Sequence, residues 1–450
     1  MHTPSKPVRA LAAATAAIAM TACVTLPVPA QATAASVAAA PEIPDTPAGR
    51  QLGWLLDAVK RTPIADGELG LHFSADFLKA IPPAQVNQVL AAFAAMTLER
   101  LVSAQDTQLV ARVVVAAKPY ELLLSVDGAG LIAGLQFREP LQPRPAPKSW
   151  TEVDERLRAA TPQAGFLAAE LGSDGRCRPV HTLAAGEPRP LGSMIKLYVL
   201  GAVAERVRSG ALGWNTQLTI TPELKSLPTG ELQDRPDGSK VSVLEAAKLM
   251  ISISDNTATD LLIHKVGRKA VERTMRAWGV NDKRNVPLMT TRDLFVLKGA
   301  DYPRHAKRYL SLNDAKQRVY LEKVTARVPL SKIQAWPEPR ELGSVEWYAS
   351  PNQICRAYAG LVKLGDRRIG EIMSINDAGL ALDPAEWPVR WFKGGSEPGV
   401  SDLSFLARTA AGKAYVVTTM AIDPTAPIPD QTLVEQLAIA AGSFTLAKNP

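Results

Sequence analysis

Histidine and cysteine are scarce in this chain: five and three respectively among 450 residues. None of the histidines (His2, His72, His181, His264, His305) lies beside a plausible nucleophile. A Ser-His-Asp triad could still assemble in space, but no Gly-x-Ser-x-Gly elbow supports one. No His/Cys/Asp cluster has ligand spacing, so no metal and no other cofactor is expected. The net charge is +7 and the pI about 9.2, yet the basic residues are scattered and form no dense block. Nucleic acid is therefore not an expected partner. Beyond the N-terminus no apolar run is long enough to cross a bilayer.

What is present bounds the class. With 46% apolar and 21% charged residues, core-forming material is ample, and the length calls for two or three domains. The N-terminus reads as an export signal. Lys6 and Arg9 precede the short apolar run "LAAATAAIAM", and Ala30-Gln31-Ala32 is a small-x-small cleavage site. Residues 1–32 are expected to be removed, leaving an exported protein, periplasmic or secreted. The competing site is "MTAC", with lipidation at Cys23, for which Met20 makes a poor context. After cleavage two cysteines remain, Cys177 and Cys355. An oxidising compartment permits a disulfide, but the two lie far apart in sequence, and two buried free thiols are the expectation.

Residues 33–46 are small and Pro-bearing, hence a flexible segment. Residues 47–140 read as a small α+β domain. Helical spacing in "GRQLGWLLDAVKR" and in "ADFLKAIPPAQVNQVLAAFAAM", broken at Pro82-Pro83, precedes the strand-like "TQLVARVVVAA", "PYELLLSVDGAG" and "LIAGLQFRE". Its only histidine, His72, is read as structural. Three prolines in 141–149 make a semi-rigid linker. From 150 to 446 the pattern changes. A hairpin ("GFLAAELG", "RPVHTLAA") leads to a helix from Ser193 to about Ser209, and "SVLEAAKLMISIS" and "SPNQICRAYAGLVKL" are further helices. The stretch 280–345 is irregular in pattern, and a strand-strand-helix order ends the chain.

"PLGSMIKLYVLGAVAERV" is apolar nearly all round, which marks a buried helix, yet Ser193 and Lys196 sit one turn apart at its start. A capping serine and a snorkelling lysine would be the bland explanation. A desolvated lysine instead loses its charged form and can take a proton from a serine hydroxyl, giving an activated nucleophile without histidine. Two further patterns follow. Ser254-Asp255-Asn256 offers a proton relay (Ser254), a loop-fixing carboxylate (Asp255) and an amide for a substrate arm (Asn256). Lys393-Gly394-Gly395-Ser396 lies on an expected strand, where glycines are costly unless something must approach the backbone. The Ser396 and Ser193 N–H groups would form an oxyanion hole, with Lys393 supplying positive charge near Ser254 and a substrate carboxylate, and Gly395 and Ser396 lining the substrate. "LPTG" at 227–230 is read as a turn.

Ser-x-x-Lys, Ser-Asp-Asn and Lys-Gly-Gly in this order resemble the penicillin-recognising serine enzymes, specifically the class A β-lactamase-like fold. The resemblance covers roughly 150–446. It implies an antiparallel sheet flanked by helices plus an all-helical subdomain, with Ser193 acylated and Lys196 its base. Residues 218–262 and 392–400 are also similar to the two-domain serine hydrolase-like proteins of clavulanic acid clusters. That likeness implies a small ketosteroid-isomerase-like α+β domain ahead of the hydrolase domain, and esterase rather than strong β-lactamase activity. The export signal departs from that pattern, so a role in clavulanic acid synthesis is not carried over.

Two departures shape the expected activity. No Glu-x-x-Leu-Asn follows Asn256; Tyr309 of "YLSLN" stands at the glutamate position, and Glu272, Glu338, Glu341 and Glu346 are candidates only if the fold brings them in. A missing general base costs about 10²–10⁴-fold, so a β-lactam acyl-enzyme should persist. Lys-Gly-Gly also lacks the hydroxyl that helps bind a substrate carboxylate; Ser396 or Ser401 would have to supply it. The expected function is an exported serine hydrolase acting on an ester, amide or β-lactam-like small molecule, with cell-envelope association as a further expectation. A true β-lactamase or D,D-peptidase and a non-catalytic envelope binding protein are the alternatives. Oligomeric state is not legible.

Overall fold

The computed structural model describes residues 41–449; the segment read as an export signal, Cys23 and most of the 33–46 segment lie outside them. The chain divides near residue 143 into two compact units.

In the first unit, Thr46 caps helix α1 (Pro47–Ala58) by accepting from Gly49 N–H, with Pro47 at the first helical position. Helices α2 (Asp66–His72), α3 (Ala75–Ala80) and α4 (Pro83–Ala92) follow, the break between α3 and α4 falling at the proline pair. Four strands then form an antiparallel meander, β1 (Thr97–Ala104), β2 (Gln108–Val115), β3 (Lys118–Val126) and β4 (Ile132–Arg138). Leu52, Leu55, Leu69 and Leu90 meet Leu109, Val113, Leu122 and Leu124 in its core. The sequence pattern does not show β1. It is a mostly exposed edge strand whose alternation is broken by two register shifts against β2. His72 stacks on Trp54 at 3.9 Å and bonds Gln51, a packing role.

The second unit is built on a five-stranded antiparallel sheet. Its strands are β5 (Gln163–Leu171), β6 (Cys177–Leu183), β7 (Val389–Glu397), β8 (Val400–Arg408) and β9 (Ala414–Ile422), in the order β7-β8-β9-β5-β6. Alternate residues feed two cores. Phe166, Ala168, Phe405 and Val417 pack under helices α5 (Trp150–Ala160) and α15 (Asp430–Lys448). Leu167, Ala169, Leu406 and Val416 face the larger core around α6 (Lys196–Arg208) and α13 (Pro351–Leu364). Burial on both faces explains why β5 and β9 read as near-continuous apolar runs.

Around α6 stand α7 (Val243–Ser252), α8 (Asn256–Val266), α9 (Arg268–Ala277) and α14 (Arg367–Met373). The stretch 280–345 is not irregular. It contains α10 (Thr291–Gly299), α11 (Arg304–Leu310) and α12 (Asp314–Lys323). They escape a periodicity search because α10 is buried nearly all round, α11 is short and α12 is mostly polar. Local signals were nevertheless present: Thr290 and Asp293 form a reciprocal capping box and Asn313 caps α12. The buried Asp260 carboxylate ties α10 to α8 by accepting from Thr291 N–H, Arg292 N–H and the Thr291 hydroxyl.

The expectation of free thiols is overturned. Cys177 at the start of β6 and Cys355 in α13 form a disulfide, with Cα atoms 6.3 Å apart, inside the range such a bridge requires. The packing of α13 against β6 closes a separation that the sequence does not reveal. No helix among the described residues is long and apolar enough to cross a membrane.

Candidate active site

A single 3₁₀ turn, Gly192–Ile195, places Ser193 just ahead of α6. Every residue from Lys196 to Ala204 is buried, while Ser193 is only half-buried. The apolar helix thus anchors the turn and leaves Ser193 at its half-buried head. Lys196 Nζ lies 2.9 Å from Ser193 Oγ, 2.8 Å from the Ser254 carbonyl, 2.9 Å from Ser254 Oγ and 2.7 Å from Asn256 Oδ1. Burial pushes this amine well below the usual lysine range, and the neighbouring Lys393 pushes it further; Asp255 and Asp260 oppose them.

Ser254 sits between α7 and α8 with φ +58°, a left-handed backbone that is costly for a residue with a side chain. Asp255 holds that junction. Its Oδ1 accepts from Ala258 N–H as the cap of α8, and its Oδ2 from Glu231 and Leu232 N–H. The 227–230 turn completes the support: the Thr229 hydroxyl donates to the Ser254 carbonyl and Asn256 Nδ2 to the Leu227 carbonyl. That scaffold role is not apparent in "LPTG". Asn256 is thereby held at both ends of its amide and is 3% exposed.

Lys393 reaches in from β7, with Nζ 3.2 Å from Ser254 Oγ and 2.7 Å from the Gly394 carbonyl. Two residues further on, β7 meets the Ser193 turn backbone to backbone. A Cβ at Gly395 would lie 2.0 Å from the Leu191 carbonyl oxygen and 2.8 Å from Ser193 N. One at Gly192, itself at φ +46°, would lie 2.9 Å from Ser396 N. Glycine at both positions is what lets the Ser193 and Ser396 N–H groups come together.

Ser193, Lys196, Ser254, Asn256 and Lys393 thus meet, with Gly395 and Ser396 alongside. The proposed carboxylate-binding hydroxyl is not at Ser401, which donates to Gln436 of α15. Among the described residues no carboxylate is hydrogen-bonded to Ser193, Lys196 or Ser254. Glu272 accepts from Leu288 N–H and Arg318, Glu341 from the Ser344 hydroxyl, and Glu338 is exposed. Tyr309 is buried in the helical core. Glu346 accepts from the Gly192 and Trp347 N–H groups, behind the nucleophile turn. Among the described residues no group of three or more His, Cys, Asp or Glu could hold a metal ion.

Comparison with known proteins agrees with this class. Residues 149–325 match a family model described as the β-lactamase enzyme family. Residues 43–132 match a separate model, described as the ORF 12 gene product N-terminal region. The β-lactamase regulatory protein BlaB of Streptomyces cacaoi is 33% identical over 95 residues, 21% of this chain; the match spans 30% of that protein's length. Among solved structures, the β-lactamase of Sphaerobacter thermophilus is 20% identical, with 67% of this chain and 96% of that one covered and a TM-score of 0.45. PBP-A is 18% identical, with 69% and 100% covered and a TM-score of 0.44. A β-lactamase from Burkholderia vietnamiensis is 18% identical, with 66% and 95% covered and a TM-score of 0.46.

Proposed function

We propose that the chain is an exported serine hydrolase that forms an acyl-enzyme at Ser193 with Lys196 as base. The observation that carries this reading is the set of partners around Lys196 Nζ. A neutral amine has two N–H donors and one lone pair. Two neighbours, the Ser254 carbonyl and Asn256 Oδ1, can only accept. They take both hydrogens, and the lone pair is left for a hydroxyl. Ser193 Oγ and Ser254 Oγ both lie 2.9 Å away; Ser193 is taken as the nucleophile because its own backbone N–H stands at the close approach of the turn to Gly395. The amine removes its proton as Oγ attacks a carbonyl carbon, and the resulting oxyanion is met by the Ser193 and Ser396 N–H groups. Ser254, between Lys196 and Lys393, passes the proton on to the leaving group, and the Lys393 charge favours that transfer.

The substrate is a small ester, amide or β-lactam-like molecule. Gly394 supplies no hydroxyl for a carboxylate and Ser401 is engaged elsewhere, so a substrate carboxylate would be met by Ser396, exposed on β7, and Lys393. With no carboxylate hydrogen-bonded to the Ser193–Lys196–Ser254 group, deacylation falls to Lys196, and β-lactam turnover is slow. The first unit, by its helix-then-meander order, is read as ketosteroid-isomerase-like, and the two units together as the architecture of the clavulanic-acid-cluster hydrolases. The test is labelling of the mature protein with a fluorophosphonate, followed by peptide mapping. A phosphonyl adduct on Ser193, absent from Ser193→Ala, is expected. No adduct would favour the envelope binding protein.

A further inference from the structure

The two N–H groups of the oxyanion site belong to different elements, and one buried lysine is tied to both. Gly192, the residue before Ser193, donates its N–H to Glu346 Oε2 at 3.3 Å, and Trp347 N–H donates to the same oxygen at 2.9 Å. Glu346 Oε1 lies 3.5 Å from Lys298 Nζ. The same Nζ lies 2.5 Å from Glu397 Oε1, and Glu397 directly follows Ser396 on β7. Strand alternation puts Lys393, Gly395 and Glu397 on one face of β7. The site lysine, the glycine of closest approach and this carboxylate therefore form a single row.

All three charged groups are buried, and the Lys298 side chain is fully so. A charge at that depth persists only when paired. Its two partners are the residues that hold either side of the oxyanion site. Burial pushes the Glu397 carboxyl well above its usual range, with Lys298 acting against that and Glu346 adding to it. The proton transfers at Ser193, Lys196 and Ser254 use none of these groups.

We propose that Lys298, Glu346 and Glu397 form a positioning cluster that sets the separation of the Ser193 and Ser396 N–H groups, a role that rests on the serine-hydrolase reading above. An oxyanion donor acts only within a few tenths of an ångström of its proper distance, and losing one costs about 10²–10³-fold in rate. A cluster that only displaces the donors should therefore be worth about tenfold or somewhat more.

The test compares wild type with Lys298→Met, Glu346→Ala and the conservative Glu346→Gln and Glu397→Gln. Each is assayed on an activated ester and on the thionoester with the same acyl and leaving groups. The sulfur of a thionoester gains little from a site spaced for oxygen, so displaced donors slow the ester far more than the thionoester. The expected result is a fall of about tenfold or more in ester kcat for Lys298→Met and Glu346→Ala, with KM nearly unchanged. The thionoester rate should be nearly constant, and Glu397→Gln, which keeps an acceptor for Lys298, should stay close to wild type. If the drastic variants do not fold, Glu346→Gln, which retains one acceptor toward Gly192, should show the same selective loss at smaller size. Folded variants that lose ester and thionoester activity equally, or lose neither, would overturn the proposal alone. A wild type that neither acylates nor hydrolyses any probe would overturn the hydrolase reading beneath it.

Discussion

Gly395→Ala isolates the contact on which the oxyanion site depends. The added methyl carbon would sit 2.0 Å from the Leu191 carbonyl oxygen, 2.8 Å from Ser193 N and 3.0 Å from Met194 N. All three are backbone atoms of the nucleophile turn, so no flexible side chain can yield. Restoring an ordinary carbon–oxygen contact of about 3.3–3.6 Å requires β7 and the turn to separate by about 1 Å or more. Overpacking of this kind costs about 1–3 kcal/mol of stability, which the fold should survive. Catalysis is less tolerant: a 1 Å misplacement costs about 10²-fold, and complete loss of one donor about 10²–10³-fold. The expected outcome is a folded variant whose Ser193 acylation, followed by intact-protein mass against time with an activated ester, is at least about 10²-fold slower than wild type. Gly394→Ala is the comparison. Its methyl meets the Phe392 ring and the Asp402 carbonyl rather than the turn, so it should lower the melting temperature with a much smaller loss of rate. A folded Gly395→Ala that acylates within about threefold of wild type, far from the loss expected for displaced donors, would refute the reasoning.

Further outcomes can be checked independently. Because burial and then Lys393 push the Lys196 amine down, acylation should rise with pH and level off below the ordinary lysine range; in Lys393→Met the midpoint should move to higher pH. Asp260 is raised to about 6 by burial, so the folded state binds the extra proton between the unfolded and folded values. Its contribution to stability is therefore present below about pH 4 and lost as pH rises through about 6, by about 3 kcal/mol. Denaturant melts of Asp260→Asn should lack that component of the slope. The Cys177–Cys355 bridge spans 178 residues, and opening it by Cys355→Ala should cost about 2–5 kcal/mol, read as a lower melting temperature under non-reducing conditions.

The sequence was most informative where a backbone change or a charge is tied to a short pattern. Ser193 and Lys196 stood out because a polar pair at the head of an all-apolar helix needs an explanation, and Gly394-Gly395 because glycine inside a strand does. The side chains of Ser193, Lys196, Ser254, Asn256 and Lys393, drawn from three separate motifs, are joined by hydrogen bonds through Lys196 Nζ and Ser254 Oγ. Less legible were features set by tertiary packing. The bridge between β6 and α13 depends on the position of α13 against the sheet. Helices α10–α12 lack a clear apolar stripe, and β1 is an interrupted edge. Glu346 was considered as a candidate base, but its place behind Gly192 and its link through Lys298 to Glu397 join residues from three distant parts of the chain. No spacing rule relates them. Thr229 was hidden for a similar reason, since a turn reveals its partners only once Ser254 is placed beside it.

The most direct measurement is time-resolved intact-protein mass spectrometry of the mature chain with a penicillin, beside Ser193→Ala and Lys196→Ala. The account predicts a covalent adduct of the full penicillin mass on the wild type. The adduct should persist long after mixing for want of a deacylating carboxylate, form far more slowly in Lys196→Ala and be absent in Ser193→Ala. An adduct that forms on Ser193→Ala, or no adduct on the wild type with this or any ester or fluorophosphonate probe, would contradict the assignment of Ser193 as nucleophile and Lys196 as its base.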